Sequence, residues 1–69
     1  MAQATTKELI EEFMTGEGIN GVINYVIPEK TDRRRGRNYT VVFKDGTRST
    51  HRFYFNTYAD GTHYVEDME

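Results

Sequence analysis

The apolar residues near the start of the chain repeat at the spacing of an amphipathic helix, with glutamates between them. These apolar residues are Leu9, Ile10, Phe13 and Met14. Thr5 and Glu8 have the spacing of a capping box, in which each side chain accepts a hydrogen bond from the backbone of the other residue. Gly16 and Gly18 predict the end of the helix. We therefore expect one N-terminal helix of about three turns.

The rest of the chain contains short runs of β-branched and aromatic residues, which predict strands at 21–27, 39–44, 47–58 and 62–65. The tripeptide Asp-Gly-Thr separates the last three runs, at 45–47 and 60–62. Asp-Gly between strands indicates a hairpin, because glycine takes the positive φ that a tight turn needs. The predicted fold is α+β, with the helix packed on a four-stranded, mainly antiparallel sheet that is a β-meander in its C-terminal half.

The length of each turn decides which side chains share a face of the sheet. A two-residue loop at the first Asp-Gly would mix Arg48 and Arg52 into the apolar row. A three-residue loop with a bulge at Gly46 instead places Phe43 opposite Thr47 and separates apolar from polar residues. With a three-residue loop at both turns, the face under the helix holds Tyr39, Val41, Phe43, Phe53, Phe55 and Val65. The first strand would extend this face at an edge with Ile23, Tyr25 and Ile27, and leave Val22 and Val26 outward.

The opposite, outer face collects arginines and tyrosines. Arginine supplies a charged planar fork and tyrosine a stiff aromatic ring, which together suit phosphate, nucleobase or protein recognition. The predicted partner-binding residues are Arg48, Arg52, Tyr54, Tyr58 and Tyr64, joined by Arg33, Arg34, Arg35 and Arg37 from the segment before the second strand. The alternative is a solvated face on which tyrosine and arginine pair across strands.

Charge is distributed unevenly along the 69 residues, although the net charge is only −2. Residues 1–29 carry −4, residues 30–37 carry +4, residues 38–59 carry +2 and residues 60–69 carry −4. We expect a mobile basic loop at about 29–37, because it has nothing to bury, and a frayed acidic tail at about 66–69. Alternatively, the basic loop meets the acidic helix or the acidic tail of its own chain.

Several functional classes lack support in the sequence. The chain has no cysteine, and two isolated histidines, His51 and His63, make a weak metal signal, so we expect no metal site. The segment 16–21 reads Gly-x-Gly-x-x-Gly, but it follows a helix and precedes a strand, the reverse of the order in a dinucleotide-binding motif. No acid, base and nucleophile can be assembled, and we therefore expect neither an enzyme nor a cofactor.

These features predict one small domain, residues 1–69, that acts as a non-enzymatic binding module for a phosphate-bearing partner, either nucleic acid or a nucleotide. The alternative is a regulatory or inhibitory protein, of the kind that phages and mobile elements encode, which occludes a site on a larger host protein. We expect a cytoplasmic homodimer without membrane association, because no leader or transmembrane pattern is present and the core is thin.

Overall fold

The computed structural model describes residues 4–30 and 32–69 and contains one helix and four strands. The elements are α1 (Thr6–Gly16), β1 (Ile23–Pro28), β2 (Arg37–Phe43), β3 (Arg48–Thr57) and β4 (His63–Met68). The strands form one antiparallel sheet in the order β1-β2-β3-β4. The predicted α+β fold is confirmed, and the meander includes β1, whose pairing is not fixed by the sequence. None of the described residues belongs to a helix long and apolar enough to cross a membrane.

Local hydrogen bonds define both ends of α1. The Thr5 hydroxyl accepts from the Glu8 N–H at 3.2 Å, and the Glu8 carboxylate accepts from the Thr5 N–H at 3.1 Å, which confirms the capping box. After the helix, Gly18 has a φ of 76°, and the Ile19 N–H donates to the Met14 carbonyl oxygen at 3.0 Å. This closure is a Schellman motif, so the Gly-x-Gly-x-x-Gly segment is a helix end and turn.

The two Asp-Gly-Thr turns have the same structure. The Asp45 carboxylate accepts from the Thr47 N–H at 2.9 Å and from its hydroxyl at 2.6 Å, and Gly46 has a φ of 90°. The second turn repeats these contacts at 3.0 and 2.7 Å, with a glycine φ of 91°. The Phe43 N–H donates to the Thr47 carbonyl oxygen at 2.8 Å. Both predicted three-residue loops are therefore confirmed.

The core lies between α1 and one face of the sheet. Tyr39 pairs with His51 and Phe55 pairs with Val65, as the predicted registers require. The buried cluster consists of Ile10, Met14, Ile23, Val41, Phe53 and Val65. The helix contacts the two edge strands, β1 and β4, and thereby spans the inner face.

An irregularity in β1 reverses the predicted faces of three residues, Tyr25, Val26 and Ile27. The pairing with β2 shifts register between Ile23 and Tyr25, so Val26 pairs with Val41 and packs against the core. Tyr25 is 45% exposed. Ile27 pairs with Thr40, an outer-face residue. The prediction that Tyr25 and Ile27 face the core and Val26 faces outward is wrong, because one extra residue in a strand reverses the alternation that follows it.

A second register shift lies in the pairing of β3 with β4, which is longer than predicted. The predicted strand at 62–65 continues to Met68, which packs against the core. The Glu69 N–H donates to the Arg52 carbonyl oxygen at 2.8 Å. The shift returns one apolar side chain to the inner face and keeps the backbone paired as far as Glu69. Fraying of residues 66–69 stays a prediction.

Candidate functional site

The basic loop lies across the outer face of the sheet and is held there by Arg52. The Arg52 side chain is only 8% exposed. Its Nη2 donates to the Asp32 carboxylate at 2.6 Å, and its Nη1 donates to the Arg35 carbonyl oxygen at 3.0 Å. Arg52 therefore does not have the open position that the sequence predicts for it, because a buried guanidinium needs partners and the basic loop supplies them. Its part in partner binding stays a prediction.

At Gly36 the absence of a side chain lets the backbone of the basic loop lie close to β3. Its φ is 95°, a backbone conformation that side-chain-bearing residues rarely adopt. A Cβ at this position would lie 3.0 Å from Arg52 Cγ and 3.0 Å from Tyr54 Cε1. The backbone of the basic loop therefore packs directly on two side chains of β3.

Polar contacts hold the start of the basic loop as well. The Glu29 carboxylate accepts from the Thr40 hydroxyl at 2.8 Å, and Thr40 shares a hydrogen bond of 2.7 Å with the Thr50 hydroxyl. The Asn38 side-chain amide donates to the Lys30 carbonyl oxygen at 3.1 Å. The basic loop thus covers buried polar side chains, whereas the sequence analysis predicts that it has nothing to bury. Its mobility stays a prediction.

The outward side chains of the basic loop meet the acidic end of the sequence. Arg34 Nη2 lies 3.4 Å from Glu69 Oε2, and Arg35 Nη2 lies 3.3 Å from Glu66 Oε2. The Arg52 Nε is a further 3.9 Å contact of Glu69. Segment 30–37, with a charge of +4, therefore faces the end of segment 60–69, with a charge of −4. This is the alternative in which the basic loop meets the acidic tail of its own chain.

Electrostatics at this contact shift two pKa values in opposite directions. The Asp32 carboxylate accepts a hydrogen bond from the Arg52 side chain and a second one, at 2.9 Å, from the Arg34 N–H. These two hydrogen bonds hold the pKa of Asp32 below its ordinary value. Burial, together with the nearby Glu69 carboxylate, raises the pKa of Tyr54. Asp32 therefore stays ionised and Tyr54 stays neutral at pH 7.

One predicted aromatic residue lies directly under the basic loop. The Arg35 guanidinium carbon is 5.9 Å from the centroid of the Tyr54 ring, within the range of a cation–π contact. We call Arg33, Arg34, Arg35 and Tyr54 the arginine–tyrosine site. Arg33 is exposed in the same loop. Four of the nine predicted partner-binding residues are therefore close together, and Arg52 lies beneath them.

The remaining predicted residues lie elsewhere. Arg48 begins β3, opposite Val42 and four residues from Arg52, which is about 13 Å along a strand. Tyr58 and Tyr64 stack on each other, with ring centroids 4.2 Å apart, beside the β3–β4 turn. None of these three residues extends the arginine–tyrosine site.

Arg37 belongs to the other side of the sheet. It pairs with Phe53 in the β2–β3 register and shares an open groove with Tyr39, Phe55 and His63. The groove also contacts the first turn of α1. Because alternate residues of a strand face opposite ways, Arg37 is separated from the outward arginines of the basic loop.

The residues that position the site are largely ones that the sequence analysis does not select: Asp32, Gly36, Glu66 and Glu69. The equal and opposite charges of segments 30–37 and 60–69 are the signal that points to the acidic partners. No comparable signal marks Asp32, since its partner lies 20 residues away and on the far side of a hairpin.

Comparisons with protein-family models, with curated proteins and with solved structures find no match to this chain. Across residues 4–30 and 32–69, no three histidine or carboxylate side chains are grouped closely enough to hold a metal ion.

Proposed function

We propose that this chain is a small cytoplasmic binding module, not an enzyme, that holds single-stranded nucleic acid through the arginine–tyrosine site. The observation that carries the proposal is the clamp of Arg52 on Asp32 and on the Arg35 carbonyl oxygen. This clamp fixes the backbone of the basic loop. Its outward guanidinium groups are left in solvent, with the Arg34 and Arg35 side chains 64% and 74% exposed.

The chemistry of these groups fits phosphate. A guanidinium presents a planar fork of donors that matches the oxygens of a phosphate group. Contacts that hold the backbone of the basic loop against the sheet before binding lower the entropy lost on binding. Tyr54 lies under Arg35, and surfaces that bind single strands combine positive charge with aromatic rings.

The proposal divides the predicted residues by role. Arg33, Arg34 and Arg35 are the phosphate-contacting residues, whereas Arg52 and Asp32 are positioning residues that act through the backbone of the basic loop. The proposed contact set leaves out Arg37, Arg48, Tyr58 and Tyr64, which lie at other places on the sheet.

The test is the binding of a labelled, mixed-sequence, single-stranded oligonucleotide, measured by fluorescence anisotropy at several salt concentrations. We expect binding that weakens steeply with salt, since cations released from the strand drive association. Arg34→Ala with Arg35→Ala should weaken binding and lower the slope of log K against log salt by about 1.4, or about 0.7 for each lost phosphate contact.

A matched control removes the same charge from the β2–β3 turn, with Lys44→Ala and Arg48→Ala. This pair should leave most of the affinity intact, because both side chains lie away from the basic loop. Equal losses from the two pairs would contradict a defined site. The absence of binding by the unmodified chain at low salt would contradict the proposal and favour the alternative of a host-protein target.

A further inference from the structure

The arginines needed for the proposed function already have anionic partners within the same chain. Glu69 contacts Arg34 and Glu66 contacts Arg35, each at 3.3–3.4 Å. Both glutamates are about half exposed, at 53% and 45% of the side chain. A phosphate that bound these guanidinium groups would therefore have to displace two carboxylates.

The acidic tail, residues 66–69, is hereafter called the acidic segment. Hydrogen bonds of its backbone hold it in place, independently of its carboxylates. β4 runs to Met68, the Glu69 N–H donates to the Arg52 carbonyl oxygen, and the Glu69 carbonyl oxygen lies 3.1 Å from His51 Nδ1. The strand therefore delivers both carboxylates to the arginines with little loss of entropy. Their side chains can rotate away while the strand stays paired.

The side-chain contacts themselves are of the weak kind. Ion pairs between exposed groups at this distance contribute little, because water screens both charges. The clamp is different, since the 2.6 Å contact between the buried Arg52 guanidinium and Asp32 does not involve Glu69. Displacement of Glu66 and Glu69 therefore opens the guanidinium groups without releasing the basic loop from the sheet.

We propose that Glu66 and Glu69 are an internal competitor for phosphate, so that the partner binds by replacing their carboxylates on Arg34 and Arg35. This inference rests on the proposed function. Once displaced, the two carboxylates remain beside the bound phosphates and repel them. The acidic segment therefore sets the affinity of the site and restricts binding to strands that present phosphates densely enough to compete.

The decisive variant is Glu66→Gln with Glu69→Gln, which removes both charges and preserves side-chain size. The matched control is Glu12→Gln with Glu17→Gln, two exposed glutamates in and just after α1, on the opposite side of the sheet. Both pairs change the net charge equally, so long-range attraction alone would raise the affinity of each by a similar factor.

With the same labelled oligonucleotide, we expect the Glu66/Glu69 pair to bind about three- to tenfold tighter at low salt, and the control pair less than twofold tighter. The difference should shrink as salt increases, because exposed charges are screened. In the Arg34→Ala, Arg35→Ala background, the gain from Glu66→Gln and Glu69→Gln should fall to about that of the control pair, since the carboxylates then have no guanidinium group to block.

The outcomes separate the two proposals. Equal gains from the two glutamine pairs, or a gain that persists without the arginines, would overturn the internal competitor while the site stands. Failure of the unmodified chain to bind at low salt would overturn the proposed function, and this inference with it. Circular dichroism and thermal melting confirm that each variant is folded.

Discussion

The two faces of the sheet are covered by different chemistry. On the inner face, α1 buries Phe53 and Val41 completely among apolar side chains. On the outer face, the basic loop buries Arg52 and Thr40 almost as deeply, at 8% and 7% exposure. Arg52 and Phe53 are neighbours in β3, so two adjacent residues are buried on opposite faces of the sheet. Apolar side chains bury Phe53, and the polar contacts of the basic loop bury Arg52.

The comparison shows that equal burial does not imply an equal contribution to stability. Apolar burial is non-directional and stabilises in proportion to area. Polar burial is favourable only where each group finds a partner, and the described residues contain no buried side-chain nitrogen or oxygen without one. We infer that the inner face supplies most of the folding free energy, and that the polar contacts of the outer face hold the backbone of the basic loop against the sheet.

The largest expected effect comes from the inner face. Phe53→Ala should destabilise the fold by about 3–5 kcal/mol, because it removes a fully buried ring and leaves a cavity. The whole domain is expected to have a stability of roughly 3–10 kcal/mol, so the variant should be largely unfolded or close to it. Urea unfolding followed by circular dichroism measures this directly. A loss under about 1 kcal/mol would contradict the assignment of the stability to this face.

The inner face could be predicted because its signals are local. Alternation and two Asp-Gly turns are enough to place Tyr39 opposite His51 and Phe55 opposite Val65. The shift in β1 cannot be predicted from the residue types after Asn24: Tyr25, Val26 and Ile27 are consecutive strand formers, so either alternation fits them.

The cover of the outer face could not be predicted in the same way. It depends on pairs between residues 20 to 35 positions apart, such as Asp32 with Arg52 and Arg34 with Glu69. Charge alone indicates that the two segments attract, but it does not distinguish an open arginine from a buried one. Only the geometry of the basic loop decides which guanidinium group is inside.

An intermediate effect is expected at the point where the basic loop meets the sheet. Gly36→Ala forces a side chain into positive φ, at about 1–2 kcal/mol, and places its Cβ 3.0 Å from Arg52 and Tyr54 side-chain atoms. The basic loop should lift from the outer face. Amide hydrogen exchange of residues 32–36, measured by NMR, should become faster while the core amides remain protected.

Gly46→Ala provides the matched control. Gly46 has a similar φ, 90° against 95°, but a Cβ there would meet nothing within 4 Å. Both variants should lose similar backbone energy, and only Gly36→Ala should expose the basic loop and reduce binding. Unchanged exchange in the basic loop of Gly36→Ala would show that the clamp does not depend on this close approach.

The smallest expected effect is the response of the clamp to acid, since it involves one half-exposed carboxylate. The pKa of Asp32 is lowered by the hydrogen bond from Arg52 and by the Arg34 N–H. The unfolded chain has the ordinary aspartate pKa of about 3.9. A depressed pKa in the folded state means that the clamp contributes fully above that value and is lost as the pH falls through the lower one.

Global acid unfolding would not isolate this group, because Glu8, Asp45 and Asp60 also have lowered pKa values. The Arg34 amide proton, 2.9 Å from the Asp32 carboxylate, is a local probe. Its NMR shift should titrate with a midpoint below the ordinary aspartate value, and Asp32→Asn should abolish that titration. Arg52→Ala should move the midpoint upward, because the hydrogen bond that most lowers the pKa is gone. A midpoint unaffected by loss of Arg52 would show that the outer face is not clamped through this pair.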